Sequence, residues 1–264
     1  MLRALRRAVL AAAVVTVGVW AGALRAQETA PLPDPAGQDR IVPVYEEPRH
    51  RQIFKSGTTR ILELIVLPGD TSLFHRHDDP IAYINLSAST MRTQELGKEW
   101  SQGGGRGGAR AGGAAPAAPA APAAPLPAVR VTSTTSYATT PATHRISNVG
   151  TGIVHALVVV NQTKGTDATT PKDVGFEGTP ELTNSWFRAY RFSLPPGQSG
   201  THTHKAPAFL VKTSDGTAVT QGARLRALND VGDWAFFDAG VAHEMRNTST
   251  ATVEFVEVEV RQPR

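Results

Sequence analysis

Residues 67–80 read LPGDTSLFHRHDDP, and residues 195–207 read PPGQSGTHTHKAP. Both segments contain Pro-Gly, a short turn, a His-x-His pair and a Pro three residues after the pair. Eight histidines in 264 residues would give about 0.24 His-x-His pairs by chance, by simple counting of template matches. Two pairs in matching contexts therefore indicate an internal repeat.

A second pair of similar segments follows the first. Residues 144–154 read HRISNVGTGIV and align without gaps to HEMRNTSTATV at residues 243–253. From the His-x-His pair to the later histidine the chain advances 67 positions in the first half and 39 in the second, a difference of 28. A low-complexity segment at 103–127 supplies 25 of these positions, so without it the halves are nearly equal in length.

The sequence between these motifs is typical of β-strands. Short runs rich in Val, Ile, Leu, Phe and Thr, such as residues 60–66, alternate with Gly, Pro, Asp and Asn. Residues 253–260 alternate strictly, which places Val253, Phe255 and Glu257 on one face of a strand. Because no segment shows sustained helical periodicity, we predict an all-β protein.

The histidine spacing predicts metal sites. Residues i and i+2 of a strand point to the same face, so a His-x-His pair can place two imidazoles in one barrel interior. A third histidine from a distant strand completes a set of neutral nitrogens that binds a divalent ion and leaves positions open for water or substrate. The candidate ligands are His75, His77 and His144 in the first half and His202, His204 and His243 in the second.

These motifs resemble the cupin superfamily. The first cupin motif has Gly, five residues, then His-x-His, and it is matched by Gly69 with the first pair and, one residue shorter, by Gly197 with the second. The second cupin motif is matched in register by Gly232, Gly240, His243 and Asn247, with Asp238 where Pro is usual. In the first half only His144 and Asn148 match it clearly, and Pro141 is displaced by two positions.

The resemblance implies two small jelly-roll barrels in tandem, a bicupin, with an RmlC-like fold. It covers about residues 41–161 and 181–262. Asn148 and Asn247 are expected to order the turn after the third histidine. The more complete second motif slightly favours the second barrel as the active one. His50 and His155 lie outside the repeat, and we expect surface or packed core residues there.

One departure from the cupin pattern matters. The Glu of the first motif would fall at Ile81 or Ala82 and, in the second half, at Ala208 or Phe209. Cysteine, acetylacetone and gentisate-type dioxygenases resemble this pattern in binding iron through three histidines, whereas other cupins have lost metal and activity. Asp78 and Asp79 adjoin the first pair; Asp78 should point away, and Asp79 is expected to be a loop acid.

Three functions follow from this site. A divalent metal on three neutral ligands keeps its full charge, which favours an anionic, chelating small molecule. We therefore expect a dioxygenase acting on a small organic acid or enol, with Fe(II) favoured and Mn, Zn, Ni or Cu compatible with imidazole ligands. A non-catalytic ligand-binding cupin and a metal-dependent isomerase or lyase remain alternatives. A homo-oligomer is compatible with each.

The rest of the chain predicts export. Arg3, Arg6 and Arg7 precede an apolar run at 8–23, and small residues at 21–23 or Ala26 offer a cleavage site, which is typical of a signal peptide. An uncleaved membrane anchor is the alternative, although the run is short for a span. Cleavage would leave a periplasmic or secreted protein with no membrane span. The predicted organisation is a signal peptide (1–26), a flexible leader (27–40), barrel 1 (41–161) with a disordered insert (103–127), a linker (162–180) and barrel 2 (181–262).

Composition excludes some chemistry. The net charge is +4, but it disappears when the four arginines of the first 25 residues are set aside, leaving 23 basic and 23 acidic residues. A nucleic-acid partner is therefore not expected. There is no cysteine, so metal ligands must come from histidine and carboxylates.

Overall fold

The computed structural model describes residues 40–87, 89–101, 129–164 and 179–262. In these ranges the chain forms 18 strands and two single-turn 3-10 helices, Val44–Glu46 and Ser136–Ala138. None of the helices within the described residues has the length and apolar character to cross a membrane. The predicted signal peptide, the insert at 103–127 and nearly all of the leader and linker lie outside the described residues, so those predictions remain untested.

The first repeat folds into two facing sheets, which we call barrel 1. One sheet has the order β1-β4-β8-β6, and the other has the order β2-β3-β9-β5-β7. Apart from the parallel pair β1–β4, neighbouring strands are antiparallel. The strands are β1 (Ile41–Pro43), β2 (His50–Ser56), β3 (Thr59–Val66), β4 (Phe74–His77), β5 (Ile81–Ser87), β6 (Met91–Glu95), β7 (Arg130–Thr134), β8 (Ala142–Asn148) and β9 (Val154–Asn161).

The second repeat, barrel 2, has the same plan. Its sheets have the orders β12-β17-β14-β15 and β10-β11-β18-β13-β16. The strands are β10 (Leu182–Thr183), β11 (Phe187–Leu194), β12 (Ser199–Thr203), β13 (Ala208–Lys212), β14 (Ala218–Gln221), β15 (Leu225–Leu228), β16 (Trp234–Phe237), β17 (Ala242–Asn247) and β18 (Val253–Val260). The predicted all-β fold of two tandem jelly-roll barrels is confirmed.

The five-stranded sheets join the two barrels through one apolar cluster. It combines side chains from β3, β5 and β9 with side chains from β11, β13 and β18. Strand β18 shows how its sequence alternation is used. Val256, Val258 and Val260 lie in the shared cluster, whereas Val253 and Phe255 belong to the interior of barrel 2. The face that carries Glu257 is therefore the interior face.

The Pro-Gly turns begin the repeated motif in the same way in both barrels. Gly69 and Gly197 have φ values of 80° and 72°, in the left-handed region that glycine adopts without the strain a Cβ would bring. The residue after each glycine accepts a hydrogen bond from a buried asparagine backbone: Asn148 N–H donates to Asp70 (3.0 Å) and Asn247 N–H donates to Gln198 (2.9 Å).

Those two asparagines also close the turn after the third histidine. The Asn148 amide donates to the carbonyls of Val66 (2.9 Å) and Gly152 (2.7 Å). The Asn247 amide donates to the carbonyls of Leu194 and Ala251, both at 2.7 Å. The structure thus gives both asparagines the ordering role that the sequence predicts.

Candidate metal centres

The three predicted histidines of barrel 1 come together in its interior. His75 and His77 leave the same face of β4, and His75 pairs directly with His144 across to β8. The ring centres lie 5.1 Å apart for His75 and His77, 4.7 Å for His75 and His144, and 4.9 Å for His77 and His144. Their ligand nitrogens all lie within 4.8 Å of one another. Tyr137 stacks on the His77 ring with 4.7 Å between centres.

The inner nitrogens of this group have the properties of ligands. The Leu73 carbonyl lies 2.9 Å from His75 Nδ1, and since a carbonyl only accepts, the ring proton belongs on Nδ1. The lone pair of His75 is then on Nε2. Both His75 Nε2 and His77 Nε2 are buried and have no hydrogen-bond partner among the described residues. Buried polar atoms are rarely left without a partner, and a bound cation would satisfy both.

Barrel 1 keeps these imidazoles neutral. Burial, followed by the neighbouring histidines, lowers the pKa of His75 and of His77 well below the usual value. Burial also lowers the pKa of His144, to about 4. A metal ion requires the neutral imidazole, so the site is in its ligand form at neutral pH.

Barrel 2 brings its three predicted histidines together and adds a carboxylate. His202 and His204 lie on or just beyond β12, and His202 pairs with His243 on β17. Glu257, fully buried on β18, points among them. The four ligand atoms all lie within 4.8 Å of one another, and the Phe237 ring stacks on His243 with 3.7 Å between centres.

All three histidines contact this one carboxylate. His243 Nε2 lies 2.7 Å and His204 Nε2 3.1 Å from Glu257 Oε1, and His202 Nδ1 lies 3.2 Å from Oε2. Burial alone would raise the pKa of Glu257, but the hydrogen bonds from the histidines outweigh it and hold the pKa well below the usual value. Three imidazoles and one ionised carboxylate match the ligand types that Mn, Fe, Zn and related ions take.

Glu257 corrects the expectation of two carboxylate-free sites. The cupin motif position is indeed without Glu in both barrels, but in barrel 2 the acid comes from the neighbouring strand, where Glu257 pairs with Leu210 of β13. The gap-free alignment of the third histidines has an offset of 99 residues, and 257 − 99 = 158. Barrel 1 has Val158 at this position, paired with Tyr83.

The other residues singled out from the sequence lie outside the two groups. Asp78 is bound to Arg76 (2.6 Å) at the surface. Asp79 accepts hydrogen bonds from Gln162 and Lys164, both at 3.0 Å, as expected for a loop acid.

The two histidines outside the repeat differ from each other. His155 is partly exposed and pairs with Glu63 (3.1 Å). His50 is buried, as a packed core residue would be, but the sequence does not reveal that it packs against the barrel 1 group.

A small cavity reaches the barrel 1 group. It has a volume of about 70 Å³, and its lining includes His77, Tyr45, Arg76 and Asp79. Since a water molecule takes about 30 Å³ of liquid volume, this space would hold about two waters. The cavity therefore places room for water-sized molecules beside His77.

Comparison with known proteins supports the fold. No protein-family model matches the chain, and no curated protein sequence does. The solved structure of AerE from Microcystis aeruginosa is similar with a TM-score of 0.52 at 12% identity, over 78% of this chain and 90% of that one. A likeness of that extent spans more residues than either repeat contains. By fold, this chain is a bicupin.

Two further structures that match carry related descriptions. An oxalate decarboxylase structure matches with a TM-score of 0.48 at 13% identity, over 79% of this chain and 70% of that one. A Cupin 2 conserved barrel domain protein from Leptotrichia buccalis matches with a TM-score of 0.45 at 10% identity, over 80% of this chain and 87% of that one. At these identities the likeness concerns the fold of this bicupin and not its reaction.

Proposed function

We propose that this bicupin is an exported, metal-dependent enzyme, a dioxygenase that acts in barrel 1 on a small, anionic organic acid or enol. One observation carries the proposal. His75 Nε2 and His77 Nε2 are buried, face the barrel interior beside His144, and have no partner among the described residues. Such nitrogens are suited to hold a divalent ion, for which Fe(II) is our first choice and Mn, Zn, Ni or Cu are also compatible.

Charge favours barrel 1 over barrel 2 as the reaction site, in contrast to the slight preference drawn from the second motif. The group of His75, His77 and His144 is neutral, so an ion held there would keep its full charge and attract an anionic ligand. In barrel 2, Glu257 already supplies one negative charge. A small cavity also lies beside His77.

The protein's own residues would prepare the site. The Leu73 carbonyl fixes the tautomer of His75, and Tyr137 holds the His77 ring by stacking. The apolar side chains of the barrel interior, including Leu64, Ile81 and Val158, would exclude bulk water and so strengthen electrostatic contacts with a bound anion. When bound, the metal would supply Lewis acidity and a place for dioxygen.

Export remains part of the proposal. It is supported by the basic and apolar N-terminal segment. N-terminal sequencing of protein recovered from the extracytoplasmic fraction should find a mature chain that begins near residue 24 or 27. A chain that keeps residues 1–23 would contradict cleavage.

Oxygen consumption tests the reaction. Protein loaded anaerobically with Fe(II) should consume dioxygen with at least one member of a panel of catechols, 1,3-diketones and 2-hydroxy acids. His77→Ala should abolish the activity, and the matched barrel 2 variant His204→Ala should retain it. Substrate turnover without oxygen uptake would favour an isomerase or lyase instead, and metal binding without any turnover would favour a ligand-binding bicupin.

A further inference from the structure

We infer that His50 is a fourth imidazole donor of the barrel 1 metal centre, positioned by Glu47. This inference deepens the proposed function and rests on barrel 1 binding a metal. His50 begins β2 and is buried, with 2% of its surface exposed. Its ring centre lies 4.5 Å from that of His75, the shortest ring separation in the group, and 6.4 Å from that of His77.

Hydrogen bonding directs the free nitrogen of His50. Its Nδ1 lies 2.9 Å from Glu47 Oε2, and because a carboxylate only accepts, Nδ1 carries a proton and Nε2 is the one ring nitrogen that could donate to an ion. Nδ1–H bonded to a carboxylate is the usual outer partner of a metal-bound histidine.

Glu47 links His50 to the established group through one peptide. Glu47 Oε1 accepts a hydrogen bond from Leu73 N–H (3.1 Å), and the Leu73 carbonyl binds His75 Nδ1 (2.9 Å). The Nδ1 sides of His50 and His75 are thus both anchored around Leu73. Their rings lie side by side, 4.5 Å apart between centres.

The Glu47 carboxylate is itself held firmly. Its Oε2 also accepts hydrogen bonds from the backbone N–H groups of Arg49 (2.8 Å) and His50 (3.1 Å). It is 1% exposed. With these donors satisfied inside the protein, Glu47 serves as a fixed acceptor behind His50 rather than as a ligand that reaches the ion.

Strand length explains why only barrel 1 has this feature. His50 pairs with Leu64 of β3 at the start of the seven-residue strand β2. The corresponding edge strand of barrel 2, β10, has two residues and pairs only with Arg188 and Ala189 of β11. Among the described residues of barrel 2, no residue of β10 joins the histidine group, and the fourth candidate donor is Glu257.

The His50 nitrogens lie outside the group of three that share a 4.8 Å separation, so the inference includes a small inward shift of the ring when the ion binds. Four imidazoles would leave two positions of a six-coordinate ion. Those positions would accept one chelating anion, or one substrate oxygen together with dioxygen.

The test uses the full chain with barrel 2 disabled by His202→Ala and His204→Ala, which leaves the contact between His243 and Glu257 in place. In this background His50→Gln should weaken Zn(II) binding in calorimetry by about 100-fold or more, because losing a donor costs at least the upper range for losing an outer partner. Glu47→Gln should weaken it less. His155→Gln, which removes the other histidine outside the repeat, should leave the affinity unchanged.

Pulsed EPR of the Cu(II)-loaded background protein counts imidazoles directly and needs no change at His50. Four bound imidazoles, falling to three with His50→Gln, would support the inference. Three in the background protein would overturn it while leaving a metal centre in barrel 1. No Zn(II) or Cu(II) bound in barrel 1 would instead contradict the proposed function.

Discussion

The two barrels place similar histidine groups in their interiors, but only the barrel 2 group includes a carboxylate. In barrel 2 a buried carboxylate, Glu257, lies among three histidines and contacts each of them. In barrel 1 the position equivalent to Glu257 is Val158, and the buried carboxylate of Glu47 contacts His50. Barrel 1 thus presents a neutral interior group, and barrel 2 presents a group with one negative charge. A repeated fold therefore does not imply a repeated site.

The largest expected effect concerns Glu257. Glu257→Gln should weaken divalent metal binding in barrel 2 by about 100-fold or more, because losing a ligand costs at least the upper range for losing an outer partner. Barrel 1 should keep its affinity, since its ligands do not contact Glu257. Zn(II) titration monitored by calorimetry would resolve the two sites, and Glu254→Gln, at an exposed position of the same strand, is the control. Equal weakening of both sites would contradict the assignment.

Acid should separate the barrels next. The pKa values of His75, His77 and His144 are lowered by burial, that of His144 to about 4. Below the usual histidine pKa of 6.5 the unfolded chain binds protons that the folded histidines do not, so metal-free protein should lose stability as pH falls from 6.5 toward 4. Each such group contributes a slope of up to about 1.4 kcal/mol per pH unit.

The contribution of Glu257 has a different pH window. Its pKa is lowered from 4.5 by the histidine hydrogen bonds, so its stabilisation is present above 4.5 and is lost as pH falls further. The check is the melting temperature of metal-free protein as a function of pH. His144→Gln should make the fall in melting temperature between pH 6.5 and 4 less steep, whereas Glu257→Gln should alter the melting temperature profile only below about pH 4.5. A His144→Gln curve parallel to wild type above pH 4.5 would contradict this account.

The turn asparagines should behave alike in both barrels. Asn148→Ala removes three side-chain hydrogen bonds, and Asn247→Ala removes the three equivalent ones and a fourth, from the Ser249 hydroxyl. Each should cost about 2–3 kcal/mol of unfolding free energy, since the backbone groups left behind are largely buried. Urea unfolding of the two variants would measure this. A difference of several kcal/mol between them would show that the repeats are less equivalent than their motifs suggest.

The smallest effects should come from the aromatic rings that stack on one histidine in each barrel. Tyr137→Leu should weaken metal binding in barrel 1, and Phe237→Leu should do so in barrel 2, each by about 3–10-fold through loss of a contact worth about 0.5–1.5 kcal/mol. Each variant should leave the other barrel unchanged in the same Zn(II) titration. Tyr137→Phe, which keeps the ring, is the control for barrel 1.

The fold and the grouping of the six histidines could be predicted from the sequence because both depend on local residue spacing. A His-x-His pair on a strand, a Pro-Gly turn and strict alternation each follow from backbone geometry within a few residues. The alternation of β18 even placed Glu257 on the face of Val253 and Phe255, which is the interior face. Residue spacing could not predict that this face lies against the histidines, because their proximity depends on which strands pair.

His50 shows the same limit more strongly. It lies 25 residues before His75, without a repeated partner or a neighbouring motif. Its place beside the group depends on the length of β2 and on its register with β3. The acid that orients it, Glu47, lies between a 3-10 turn and that strand, where no periodicity marks a functional residue.

We propose that this bicupin holds two metal centres whose protein ligands differ in charge. Elemental analysis of mature protein reconstituted with Zn(II) and freed of excess metal tests it most directly. We expect two ions per chain in wild type, and one ion in each of the variants His77→Ala and His204→Ala. Retention of two ions by either variant, or the absence of tightly bound metal from wild type, would contradict the account.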